Sequence, residues 1–137
     1  MKFLPINNDT ICHLEDFIES MGDSSHSFRY YSSRNPDEVI ENHIVTFLLF
    51  DDDYVGYGHL DRENDKVWLG ICVKEGFKGK GYGKKIMEKL VTSYDGDIYL
   101  SVDKDNQHAT NLYEIFSFEE IDSNDKLYFM RRNATNI

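Results

Sequence analysis

Val73-Lys-Glu-Gly-Phe-Lys-Gly-Lys-Gly-Tyr-Gly83 is the stretch whose reading decides the fold. It joins a strand-like run, Lys66-Val-Trp-Leu-Gly-Ile-Cys-Val73, to a helix-like run, Lys84-Lys-Ile-Met-Glu-Lys-Leu-Val91. Gly79, Gly81 and Gly83 stand at alternate positions and leave the main chain bare where it turns. A bare turn can aim several N–H groups at one anion, and a helix starting there adds the positive end of its dipole. Such a turn suits a phosphate or pyrophosphate.

Spacing narrows the choice. A P-loop needs a Lys followed by Ser or Thr after its last glycine, and that pair is missing here. A dinucleotide fingerprint needs G-x-G-x-x-G near the start of a βαβ unit, whereas these glycines run G-x-G-x-G late in the chain. Composition narrows it further. With 15 basic and 25 acidic side chains the net charge is −10. That balance excludes general binding to nucleic acid or to anionic membrane, where Lys and Arg supply most of the affinity. Against it stands one local cluster, Lys74, Lys78, Lys80, Lys84 and Lys85. A small basic patch on an acidic chain suits one small polyanion; the plain alternative is a solvated helix start.

The 137 residues fit one domain, 1–137, and 40% hydrophobic residues can fill a core. No long apolar run marks a membrane span, and Met1-Lys-Phe-Leu-Pro-Ile turns polar too soon for a signal peptide. Two cysteines, Cys12 and Cys72, make a poor disulfide framework and read as reduced thiols of a cytoplasmic protein.

Periodicity sets the order of elements. Residues 2–6 read as a strand, and Asp9 or Thr10 caps a helix reaching about residue 21. Residues 22–33 read as a loop, 36–43 as a helix opened by Pro36, and 44–50 and 54–60 as a hairpin. After a turn at 61–65 comes the strand 66–73. The helix 83–94, strand 97–102, helix 107–116 and strands 118–121 and 127–131 follow.

A second motif begins at the end of a strand-like run: Asn106-Gln-His-Ala-Thr-Asn-Leu-Tyr113-Glu-Ile-Phe-Ser-Phe118. The glycine stretch resembles the acyl-CoA loop of the GNAT superfamily of N-acetyltransferases, Arg/Gln-x-x-Gly-x-Gly/Ala, with Lys78, Gly81 and Gly83 on its marked positions. Lys78 keeps the cation of the usual Arg or Gln position but not a planar fork. The second motif resembles the family's Asn-x-x-Ala-x-x-Leu-Tyr-x-x-x-Gly-Phe. Asn106, Ala109, Leu112, Tyr113 and Phe118 agree, and Ser117 replaces the glycine at the helix exit. The two motifs cover about half of the chain.

The resemblance implies a mixed α/β fold: a central, mostly antiparallel sheet with helices on both faces and one parallel strand pair that splays. It implies acetyl-CoA as cosubstrate, no metal, and direct acetyl transfer to the primary amine of a small molecule. In that frame the pyrophosphate contacts fall on Lys78, Gly79, Lys80, Gly81, Tyr82, Gly83 and Lys84. Backbone of Ile71, Cys72 and Val73 would pair with the pantetheine arm, and an N–H near Ile71 or Cys72 would hold the oxyanion. Tyr113 is the expected proton donor to the leaving thiolate, with a packed aromatic as the plain alternative. Asn106 caps its helix and is a candidate cofactor contact.

The base is open among His59, Asp61, Asp103 and His43, or water alone. A lone strand-edge histidine is more often structural. Cys72 reads as an inert strand thiol rather than a nucleophile. The acceptor is expected to line Phe28-Arg-Tyr-Tyr31, Tyr57-Gly-His59 and the region of Tyr128, a partly acidic, aromatic cleft suited to a polyamine-like amine or an amino sugar. A protein N-terminus or lysine comes next. Arg29 and Arg34 are candidates to meet a phosphate on the acceptor, with surface placement as the alternative. Homodimers are frequent in the family, and no stretch marks an interface. The rival classes are a non-catalytic acyl-CoA-binding or partner-docking module and a different nucleotide binder.

Overall fold

The computed structural model describes residues 1–26 and 28–134. Its strands are β1 (Lys2–Pro5), β2 (His43–Phe50), β3 (Tyr54–Glu63), β4 (Lys66–Val73), β5 (Ile98–Asp103), β6 (Glu119–Ser123) and β7 (Leu127–Arg132). The helices are α1 (Ile11–Glu19), α2 (Pro36–Val39), α3 (Tyr82–Val91) and α4 (Gln107–Ile115). The strands form one sheet in the order β1-β2-β3-β4-β5-β7-β6. Every neighbouring pair is antiparallel except β4 and β5, which run parallel and pair only at Val67↔Ile98 and Trp68↔Tyr99.

Residues directly opposite one another on neighbouring strands share a face. On one face Leu48, Tyr57 and Cys72 lie in register and pack under Leu14 and Phe17 of α1. On the other, Phe47, Leu60, Leu69 and Leu100 join Ile86, Met87 and Leu90 of α3 and Tyr113 of α4. Helices therefore cover both faces, as the two motifs imply.

Continuing along the α1 face, β3 sets His59 opposite Gly70, Asp61 opposite Trp68 and Glu63 opposite Lys66. The apolar end of this face thus passes into a polar stripe, which residues 28–34 cover rather than α1.

Several boundaries differ from expectation. β3 runs to Glu63 because the turn needs only Asn64 and Asp65, both at positive φ (55° and 62°). That two-residue turn matches the twist of a hairpin. Asp61 is consequently inside a strand, not on a turn. The helix expected over 36–43 is the short α2 followed by a 3-10 turn, Ile40–Asn42, and His43 already belongs to β2. α3 closes at Val91, where the Thr92 hydroxyl bonds back to the Glu88 carbonyl at 2.8 Å. The loop expected over 22–33 contains two 3-10 turns, Gly22–His26 and Tyr30–Ser32; Ser27 lies outside the described residues. Cys12 is exposed and Cys72 is buried.

Candidate active site

The β4–β5 ladder ends at Trp68↔Tyr99, so the two strands part over the rest of β4. A cleft of about 730 Å³ fills the divergence. It reaches from the glycine turn and α4 to the polar stripe on the α1 face, and Gly79, Tyr113, His59 and Asp61 all line it.

At one end, Gly79 (φ 80°) and Gly81 (φ 85°) hold the left-handed backbone that a side chain resists. A Cβ at either would meet nothing within 4 Å, so the turn is open to a ligand. Gly81 is the N-cap of α3, and Tyr82, Gly83 and Lys84 of its first turn line the same cleft, at the end of a helix where amides lack partners. Gly83 serves packing instead. A Cβ there would sit 3.2 Å from Leu112, so its bareness brings α3 against α4. Lys78 and Lys84 line the cleft, while the Lys80 ammonium lies over the Phe77 ring. Lys78 reaches Glu75 at 3.9 Å, an exposed pair that a stronger anion can displace. The Tyr82 hydroxyl donates to Asp51 at 2.6 Å, tying the start of α3 to the β2–β3 turn.

Asn106 caps α4 as its sequence context predicts, its side-chain oxygen accepting from the Ala109 N–H at 3.2 Å. The other end of α4 closes with the Ser117 N–H on the Glu114 carbonyl and the Phe118 N–H on the Tyr113 carbonyl. With Ser117 at φ 72° and the Phe118 ring 6.2 Å from that of Tyr113, this is a Schellman motif with its hydrophobic contact. Serine thus keeps the helix exit that glycine makes in the family pattern, and the motif fixes Tyr113 in place. Tyr113 is 8% exposed. Burial, with Cys72 nearby, raises its phenol well above the usual tyrosine range, so it keeps its proton.

At the other end the polar stripe is wired into two chains. In the first, a tyrosine hydroxyl has one proton, and the Asp61 carboxylate can only accept, so Tyr30 donates to it at 2.7 Å. His43 Nε2, 2.9 Å from the same oxygen, therefore carries the proton, and Nδ1 accepts from the Thr46 hydroxyl at 2.6 Å. This neutral tautomer agrees with the pKa of His43, which burial lowers to about 4 against the pull of Asp61. In the second chain, Tyr31 meets Tyr57 at 2.5 Å and Tyr57 meets His59 Nδ1 at 2.7 Å. His59 is 1% exposed; burial, then the nearby His43 and Arg34, hold its pKa well below 6.5. Its ring lies against bare Gly70, with Tyr30 at 4.3 Å and His43 at 4.6 Å between ring centroids.

All four base candidates have hydrogen-bond partners within the protein. His59 and Asp61 line the cleft, bonded to Tyr57 and Tyr30 respectively. His43 has both ring nitrogens engaged. Asp103 lines the cleft but binds Arg29 through both oxygens, at 2.8 and 3.0 Å, which holds its carboxyl below the usual range. Arg29 and Arg34, candidates for a phosphate, meet carboxylates instead: Arg34 reaches Glu63 at 3.8 Å and stacks on Tyr30. Cys72 turns its thiol to Met21 beneath α1 at 3.6 Å, in keeping with a packed residue. Tyr30 and Thr46 are not legible in the sequence as network members; the only signal for Tyr30 is its place in an aromatic loop.

The model of the acetyltransferase (GNAT) family matches residues 9–118. The chain belongs to that family. It is 33% identical to a spermine/spermidine N(1)-acetyltransferase of Bacillus subtilis (strain 168), over a match covering 56% of this chain and 62% of that relative. Less than two thirds of the relative's length is therefore matched. Among solved structures, the GNAT domain of PAT from S. lividans superposes with a TM-score of 0.77 at 15% identity, covering 95% of this chain and 88% of that one. The yncA structure from Salmonella typhimurium, described with its cofactor acetyl-CoA, gives 0.75 at 11% identity, covering 100% and 95%. A spermidine N-acetyltransferase chimera from Vibrio cholerae and hSSAT gives 0.68 at 17%, covering 96% and 95%. At these identities the structural likenesses establish the fold.

Proposed function

We propose that the protein transfers the acetyl group of acetyl-CoA to a primary amine of a small, polyamine-like cation. The observation that carries this is the single cleft joining an anion-binding turn and a protonated, buried phenol to a buried carboxylate and a neutral histidine. The named Bacillus subtilis relative supports the choice of acceptor class.

The residues fit the cosubstrate. The open glycine turn and the α3 N-terminus present main-chain donors, with Lys78, Lys80 and Lys84 adding charge, for the pyrophosphate. Main-chain groups around Ile71, Cys72 and Val73 lie beyond the last β4–β5 pair and would hold the pantetheine amides. Tyr82 and Asn106 complete that wall. Bound acetyl-CoA supplies the thioester.

Asp61 draws the ammonium of the acceptor into the cleft. His59, neutral at physiological pH, takes the proton the amine must lose before its nitrogen bonds to the acetyl carbon. A main-chain N–H near Ile71 or Cys72 holds the negative charge that develops on the carbonyl oxygen. Tyr113 gives its proton to the sulfur as the carbon–sulfur bond breaks, and the second proton that the nitrogen sheds on becoming an amide restores the phenol.

The test is thiol release from acetyl-CoA across polyamines, amino sugars and peptides, with Tyr113→Phe as control. Turnover of polyamines that drops in the variant supports the assignment. Thermal stabilisation by CoA with no turnover of any amine refutes it and leaves a binding module.

A further inference from the structure

Three carboxylates line the cleft among the described residues: Asp61, Glu63 and Asp103. Each is engaged by the same short segment of chain. Tyr30 donates to Asp61 at 2.7 Å, Arg34 pairs with Glu63 at 3.8 Å, and Arg29 grips Asp103 through two hydrogen bonds. The Arg29–Asp103 contact also spans the divergence of the sheet, because Asp103 ends β5 while residues 28–34 cover β3. Two of the three carboxylates of this cleft are therefore already held by cations of the protein itself, and Asp61 by a neutral hydroxyl.

We propose that Arg29 and Arg34 are internal surrogates of the acceptor's ammonium groups, so that the carboxylates they hold, Asp103 and Glu63, are the subsites that select acceptors carrying two or more positive charges. This rests on the acetyl-transfer reading for the identity of the acceptor. The physical argument is competition. Both ion pairs are partly exposed: Arg29 and Asp103 keep 53% and 21% of their side-chain surface, Arg34 and Glu63 keep 37% and 48%. The Arg34–Glu63 pair, at 3.8 Å, is of the kind that contributes little; the Arg29–Asp103 pair is bidentate and stronger, and what offsets its loss is that an incoming ammonium replaces the same charge on Asp103. A monoamine brings one charge, which the transfer reaction must neutralise, and leaves nothing to replace an arginine. A triamine brings further charges that replace Arg29 on Asp103 or Arg34 on Glu63. Discrimination arises because only a ligand with a second charge can take up a carboxylate that a displaced arginine leaves.

The experiment compares spermidine with butylamine. The ratio of their kcat/KM values is measured in the wild type, Arg29→Ala and Asp103→Asn, and calorimetry gives the Kd of spermidine for each protein. Arg29→Ala is expected to tighten spermidine binding and raise the ratio by about two- to fivefold, the range an exposed ion pair can supply. Asp103→Asn is expected to lower both. A ratio and a Kd that do not respond to Arg29→Ala overturn the inference, as does an equal change for both amines. The binding arm separates the two readings. No turnover in any protein, with tighter spermidine binding in Arg29→Ala, refutes acetyl transfer and upholds the surrogate role. Normal turnover with an unresponsive ratio refutes the surrogate role alone.

Discussion

Replacing Gly70 by alanine perturbs the candidate site through a single methyl group. The position lies on β4 directly opposite His59, and an added Cβ would fall 2.4 Å from Cε1 and 2.5 Å from Nε2 of the imidazole. Ordinary contact requires about 1 Å more. The ring has little room to yield, with Tyr30 and His43 packed around it and Tyr57 bonded to its Nδ1. Overpacking of this kind costs about 1–3 kcal/mol. Breaking the buried Tyr57–His59 bond adds about 1–3 kcal/mol. A loss of about 2–6 kcal/mol is therefore expected in urea unfolding, followed by the fluorescence of Trp68, the sole tryptophan. Turnover should fall by about 10²-fold, the usual consequence of a misplacement near 1 Å in a catalytic group. A variant that unfolds within about 0.5 kcal/mol of the wild type and acetylates at full rate would refute both the packing argument and the role of His59.

Further outcomes follow from the same geometry. His43 and His59 are neutral when folded and carry lowered pKa values, so the unfolded chain takes up protons first as pH falls below about 6.5. Stability should then decrease toward pH 4, at up to about 1.4 kcal/mol per pH unit for each histidine, and be flat in this respect above pH 7; urea midpoints at pH 7.5, 6 and 5 check it. Tyr113→Phe should lower turnover by about 10²-fold with little change in melting temperature; equal turnover removes its role as proton donor. Ser117→Gly relieves a positive φ at the α4 exit and should stabilise by about 1 kcal/mol in thermal unfolding, without altering kcat.

The glycine turn and the Asn106-to-Phe118 helix are legible in the sequence because their chemistry is local. Bare alternate positions, a capping asparagine and a helical stripe are all properties of neighbouring residues. The acceptor end is legible only in outline. His59 and Asp61 alternate along β3 in a way that marks one face, but nothing near them in sequence announces Tyr30, which comes from 29 positions before His59. Asp103 resembles a base for the same reason: its strand-end position is visible in the sequence, its bidentate partner 74 residues away is not. The turn at 61–65 reads too wide because a polar run hides a two-residue hairpin, and the helix over 36–43 too long because tertiary pairing of His43 with Asp61 outweighs helix propensity.

The brevity of the parallel seam has a mechanical consequence. β4 and β5 share two residue pairs, while β2–β3 and β5–β7 are paired along most of their length. The sheet is therefore two leaves joined at a narrow hinge, one containing β1 to β4 and the other β5 to β7. Amide exchange should divide along this line, with each leaf opening as its own cooperative unit. A molecule that lies in the divergence and bonds to both edges acts as a splint. Occupancy would then raise protection in both leaves together, whereas the unoccupied protein would open along the seam first.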